Sequence, residues 1–308
     1  MRRHTMFQFA MGCFFAAAAT FTTADASSAP REVTPNGPGI SGVYGTQPAN
    51  SQEFLSSPDA IKSAAVSGAP TLIWQTLEHG EKVECLDCIA FVSPLLYDAN
   101  PKNREIAAWW LRRRVLGVFG PGEVYEQTLQ NLQSNPDGLT RSYAAYALGE
   151  FLFAPGVNAC AISVLQDGDA RVRAASASAL GRLNSDGNGA LGAAMADSDA
   201  TVRLAALASA GRINSFSSIS AAAALTTDPS SDVRRRAIEV LDALNASDTV
   251  TAVAAAAQND SDAGVRAVAC HALGTFGNNT VLPLLQNLAA NDPSVFVQDQ
   301  ATIAIRRL

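Results

Sequence analysis

The stretch Asp169-Ala-Arg-Val-Arg173-Ala-Ala-Ser-Ala-Ser-Ala-Leu180-Gly181 decides the fold, because the chain repeats it. It returns as Asp199-Ala-Thr-Val-Arg203 running to Ala210-Gly211, and as Asp262-Ala-Gly-Val-Arg266 running to Leu273-Gly274. Looser copies begin at Asp137, with Arg141 and Leu148-Gly149, and around Arg234, with Leu241. Two degenerate copies place Arg104 before Leu111 and Gln298 before Ile305. Measured at the arginine, successive copies lie 30 to 37 residues apart, a period that marks a stacked array rather than one globular core.

Counted from that arginine, positions −1, +2, +3, +6, +7 and +10 are mostly apolar or small, as in Val172, Ala175, Ser176, Ala179, Leu180 and Leu183. This spacing is one face of a helix. A second segment of helical length precedes each copy: Val124 to Leu132, Ala159 to Leu165, Ile219 to Leu225, Val250 to Ala256 and Val281 to Leu288. Asp-Pro, Asn-Pro and Asp-Ser pairs between the two suit a helix stop followed by an N-cap. Each unit therefore reads helix, turn, helix. Aromatics make up only 7% of the chain, which suits thin helical layers filled by Ala, Leu and Val.

The D-x-x-V-R-x-x-A-x-x-A-L-G pattern resembles the short bacterial HEAT-like repeats, including those of phycobilisome lyases, over roughly residues 82 to 308. The resemblance implies an all-α, right-handed α-solenoid of about seven HEAT-like helical hairpins. It also implies that Asp137, Asp169, Asp199 and Asp262, with Arg141, Arg173, Arg203, Arg234 and Arg266, align as a structural ladder. Physical reasoning agrees: an Asp at a helix start caps free N–H groups, and an Arg one turn later can bond a carboxylate of its own or a neighbouring unit. Asn100 replaces the Asp before Arg104, and Gln298 replaces the last Arg, as expected of terminal units.

The first residues read as a signal peptide over 1–26: Arg2 and Arg3, a mostly apolar stretch from Met6 to Phe21, and Ala24-Asp25-Ala26 as cleavage site. The apolar run is shorter than the roughly 20 residues a helix needs to cross a bilayer, so no membrane span is expected in the mature chain. Lipidation at Cys13 ranks behind simple export to the periplasm or cell surface, because too short an apolar region precedes it. Residues 27–57, rich in Pro, Gly, Ser, Asn and Thr, read as a flexible linker; 58–308 read as the solenoid, with capping helices at 58–79. Cleavage removes Arg2, Arg3 and Asp25 from a chain of net charge −6, leaving an acidic product, and nucleic acid is disfavoured as a partner.

Cys85-Leu-Asp-Cys88 is the most conspicuous feature outside the repeat, and in an oxidising compartment a disulfide is its expected state. Thiol-disulfide exchange by this pair is the rival function. Ile89, where haem attachment needs a His, and the lack of further Cys or His ligands leave no haem or zinc site and no cofactor. Cys160 and Cys270 read as buried small residues. After cleavage only His79 and His271 remain, with no motif that gives either a catalytic role, and paired carboxylates such as Asp260 and Asp262 read as turn residues. The expectation is a protein that is not an enzyme; a lyase-like activity, suggested only by the resemblance, sits poorly with export.

The expected function is protein binding or scaffolding. In HEAT-like arrays the exposed side of the second helix lines the concave surface, the usual binding face. Here that side carries the +5 positions Trp109, Tyr146, Ser178, Ala208, Glu239, His271 and Ile303. Large aromatics anchor interfaces, so the candidates for binding a protein partner are Trp109 and Tyr146, with Arg113 beside them. The competing reading packs Trp109 and Trp110 against the 58–79 helices.

Overall fold

The computed structural model describes residues 56–117, 120–214 and 216–308. The signal-peptide and most of the linker expectations, and Cys13 with them, lie outside the described residues. Two helices come first, α1 (Pro58–Val66) and α2 (Pro70–His79), each with a proline in its first turn, where the missing N–H is harmless. Seven helical hairpins follow. They are α3 (Leu86–Val92) with α4 (Pro101–Val115), α5 (Glu123–Ser134) with α6 (Gly138–Phe151), and α7 (Pro155–Gln166) with α8 (Ala170–Arg182). Then come α9 (Ala190–Ala194) with α10 (Ala200–Ala210), and α11 (Ile219–Ala224) with α12 (Ser231–Ala243). The last two are α13 (Val250–Asn259) with α14 (Ala263–Phe276), and α15 (Leu282–Asn291) with α16 (Val295–Ile305). The described residues from 56 on are thus an all-α solenoid; the only strand pairing among them is a two-residue contact of Leu116 and Gly117 with Pro121 and Gly120.

Each repeated residue type has a packing reason. The Val before the marker arginine (Val172, Val202, Val233, Val265) is fully buried, as are Leu111, Leu148, Leu180, Leu241 and Leu273 at +7. Burying one such side chain is worth about 1.5–3 kcal/mol. The Gly after that Leu lets consecutive second helices touch. A Cβ on Gly149 would lie 2.8 Å from the Ala179 Cα, and one on Gly274 would lie 2.7 Å from the Ala304 Cα. Second helices therefore pack directly on one another along the array, α6 on α8, α8 on α10, α14 on α16. The buried side chains form one continuous cluster from Ile61 to Ala304. The last hairpin leaves Gln286, Asn287, Asp299, Thr302 and Arg306 exposed, together with the apolar Val295, Phe296 and Ile303.

Candidate protein-binding face

The aspartates of the motif are helix caps. Asp137 accepts from the N–H groups of Leu139 and Thr140, Asp169 from Arg171, Asp199 from Thr201 and Asp262 from Val265. Asn100 does the same for Lys102 at 2.9 Å. These caps do not meet the repeated arginines. Arg141 instead forms a two-pronged pair with Asp167 at 2.7 and 2.8 Å, and Arg173 one with Asp197 at 2.7 and 2.9 Å. Arg203 pairs likewise with Asp228, Arg234 with Asp260, and Arg266 with Asp292. Each partner stands in the inter-helix turn of the following hairpin, while the remaining guanidinium nitrogen of Arg141 donates to Asn135 and Pro136 in its own turn. One arginine thus holds two consecutive turns together. The bonds from Arg141, Arg173 and Arg266 hold the carboxyls of Asp167, Asp197 and Asp292 below the usual carboxylate range.

Sequence reasoning missed these partner aspartates, although their signal is a column six residues before each marker: Asp167, Asp197, Asp228, Asp260 and Asp292. In this column Asp260 takes Arg234, whereas its neighbour Asp262 caps α14.

At the N-terminal end Trp110 and Trp109 part company. Trp110 is fully buried and donates from its indole nitrogen to the Gly80 carbonyl at 3.1 Å, closing the first hairpin onto the α2 end. The Arg114 guanidinium lies 3.4 Å over the Trp110 ring and donates to the carbonyls of Trp110, Glu81 and Val83. Burial there pulls it down to about 10. Trp109, on the next position of α4, is half-buried against the core and keeps part of its surface in solvent. Arg113 is exposed and pairs with Glu81 at 2.8 Å. Tyr146 on α6 is half-buried; burial first, then the nearby Glu150 carboxylate, pushes its phenol well above the usual value. Arg182 of the next hairpin lies 5.2 Å from the Tyr146 ring and pairs with Glu150. Trp109, Arg113 and Tyr146 accordingly share the solvent side of the first two second helices.

Farther along, Ser178 and Ala208 leave that side shallow. It deepens again at a groove of about 330 Å³ lined by Glu239, Asp242, His271, Phe296 and Gln300. His271 lies 3.6 Å from Asp242 and has Arg307 at 3.3 Å. The Cys85 and Cys88 Cα atoms are 5.3 Å apart and their sulfurs are joined; Cys85 caps α3 by accepting from the Cys88 N–H, and Cys88 is fully buried. Cys160 and Cys270 are buried and unjoined, and burial pushes both thiols up to about 12. Among the described residues no cluster of three potential metal ligands occurs, and no helix is long and apolar enough to cross a membrane.

No curated protein sequence matches the chain. The E. coli protein YibA is structurally similar, with a TM-score of 0.54 at 16% identity over 84% of this chain and 96% of that one. Kap95p, in a complex with RanGDP, has a TM-score of 0.53 at 14% identity, covering 83% of this chain and 45% of that one. Matches with lower TM-scores, 0.36 and 0.39, include human deoxyhypusine hydroxylase and the phycocyanin lyase CpcE–CpcF complex of Nostoc sp. PCC7120, each 19% identical; they cover 84% and 71% of this chain and 98% and 94% of theirs. These names correct the expectation that the chain is not an enzyme: helical arrays of this type occur in enzymes, so the fold gives no ground for excluding catalysis. The sequence of residues 219–306 matches the family model of HEAT repeats, and the fold around it is that of a HEAT-like solenoid.

Proposed function

We propose that the chain is an exported protein-binding module of the periplasm or cell surface that docks a protein partner on the solvent side of its second helices. Trp109 and Tyr146 are the anchors, with Arg113 and Arg182 at their edges. The observation that carries this reading is the division between adjacent tryptophans: Trp110 supplies the packing against Gly80, while Trp109 remains half-buried on the same face as Tyr146. Half-buried aromatics beside guanidiniums are the side chains that most often dominate interfaces. Kap95p, of similar fold, engages the protein RanGDP. Export rests on the signal-like residues 1–26. The Cys85–Cys88 pair is assigned a structural role rather than exchange, because exchange needs an accessible sulfur and both residues are buried.

The test uses the mature chain as bait on a periplasmic fraction, with W109A and Y146A alongside. Once the captured protein is identified, each substitution should weaken its binding by roughly 2 kcal/mol or more while the melting temperature holds. If both variants melt lower and capture is unchanged, the two aromatics are packing residues and the proposed face is wrong.

A further inference from the structure

We infer that the joint between the first and second hairpins is a hinge built into the solenoid. Seven hairpins have six junctions, and five of them are closed by an arginine gripping the next turn: Arg141–Asp167, Arg173–Asp197, Arg203–Asp228, Arg234–Asp260 and Arg266–Asp292. The first is not. Arg104 donates to the carbonyls of Asp98 and Ala99 in its own turn, at 2.7 and 3.0 Å, as the other ladder arginines do. The position that should supply its carboxylate is Asn135. Asn135 keeps the local role of the column, accepting from the Asp137 N–H at 3.0 Å as Asp167 accepts from Asp169, but its amide offers a guanidinium no charge.

What replaces the clamp is weaker. Arg104 lies 4.0 Å over the Tyr143 ring, and Asn131 donates to the Tyr97 hydroxyl at 2.8 Å. A partly exposed cation–π contact is weak and loosely directed, whereas a two-pronged charge pair shielded from water is both stronger and fixed in direction. The first helices also stand apart here. A groove of about 600 Å³ opens between α3 and α5, walled by Leu86, Ile89 and Pro94 on one side and Val124 and Gln127 on the other. Missing clamp and open groove coincide at the same junction, so bending concentrates there while the five clamped junctions move as one body.

Trp109 and Tyr146 lie on opposite sides of this joint, on α4 and α6. A partner held by both would therefore fix its angle, a consequence that rests on the binding reading above, whereas the hinge itself does not.

The experiment compares spin-label distance distributions in the full mature chain. One pair spans the first junction, Ala90→Cys with Gln130→Cys, and one spans the second, Gln130→Cys with Ile162→Cys, all three positions being exposed. The first pair should give the broader distribution. Asn135→Asp, which supplies Arg104 with a carboxylate, should narrow it and leave the second pair unchanged. Asp167→Asn, which moves the defect one junction along, should broaden the second pair. Equal widths for the two pairs in the parent chain, or widths that ignore both substitutions, would overturn the hinge. A hinge that behaves as expected while W109A and Y146A leave partner capture intact would uphold the joint and remove only the binding reading.

Discussion

Arg266 grips Asp292 across a hairpin boundary with bonds of 2.8 and 2.9 Å, in surroundings that leave their side chains 10% and 3% exposed. Removing one partner of such a pair strands a shielded charge and costs about 3–5 kcal/mol, while an exposed pair is worth about 1 kcal/mol or less. Asp292→Ala should therefore lower the urea midpoint steeply. Glu105→Ala, which breaks the exposed pair with Lys102, should barely move it. Equal effects from the two would show that the ladder contributes no more than surface charge.

The same clamps set the acid limit of the fold. Bonds from their arginines depress Asp167, Asp197 and Asp292, and bonds from Arg171 bring Asp169 to about 2. A carboxyl whose folded value lies below its unfolded value, about 3.9, stabilises the fold fully above that unfolded value and loses its contribution as pH falls through the folded one. Urea midpoints should stay level from neutral pH to about 5 and fall below about pH 4. A decline that begins near pH 6 would show that these carboxyls do not set the limit.

How much of this was open to the sequence depends on how local each interaction is. Capping aspartates bond within three residues, so Asp137, Asp169, Asp199 and Asp262 could be given their role from spacing alone. The clamp partners lie 24 to 26 residues from their arginines, a separation that only the stacking of hairpins makes short. The +5 row was legible because helical period fixes which side of α4 Trp109 occupies. That Arg182 would cover Tyr146 depends on crossing geometry between elements, which no single-helix period encodes, whereas Arg114 over Trp110 is a contact one turn apart within α4.

The glycine after the repeated Leu makes a separate prediction. On Gly274 a methyl group would meet the Ala304 backbone at 2.7 Å, so α14 and α16 would have to separate. Overpacking of this kind costs about 1–3 kcal/mol. Gly168 has nothing within 4 Å of the same added atom. Thermal melts should show Gly274→Ala lowered by several degrees and Gly168→Ala within error of the parent. A neutral Gly274→Ala would mean that the helices have slack the geometry does not show.

Cysteine chemistry tests the assignment of Cys85 and Cys88 without a partner protein. The chain has five cysteines, and signal cleavage as proposed would remove Cys13, leaving four. Cys85 and Cys88 are joined, so neither has a thiol to alkylate; Cys160 and Cys270 are buried, and their thiols are pushed up to about 12, which leaves almost no thiolate at neutral pH. The native exported protein should accordingly take up no iodoacetamide. Unfolding it in urea without reductant should expose two thiols, at Cys160 and Cys270, and reduction should then release two more. Unreduced peptide mass would place the missing pair of hydrogens within the segment containing Cys85 and Cys88. Four reactive thiols on unfolding without reductant would remove the disulfide, and rapid labelling of Cys88 in the native protein after mild reduction would favour exchange over a structural role.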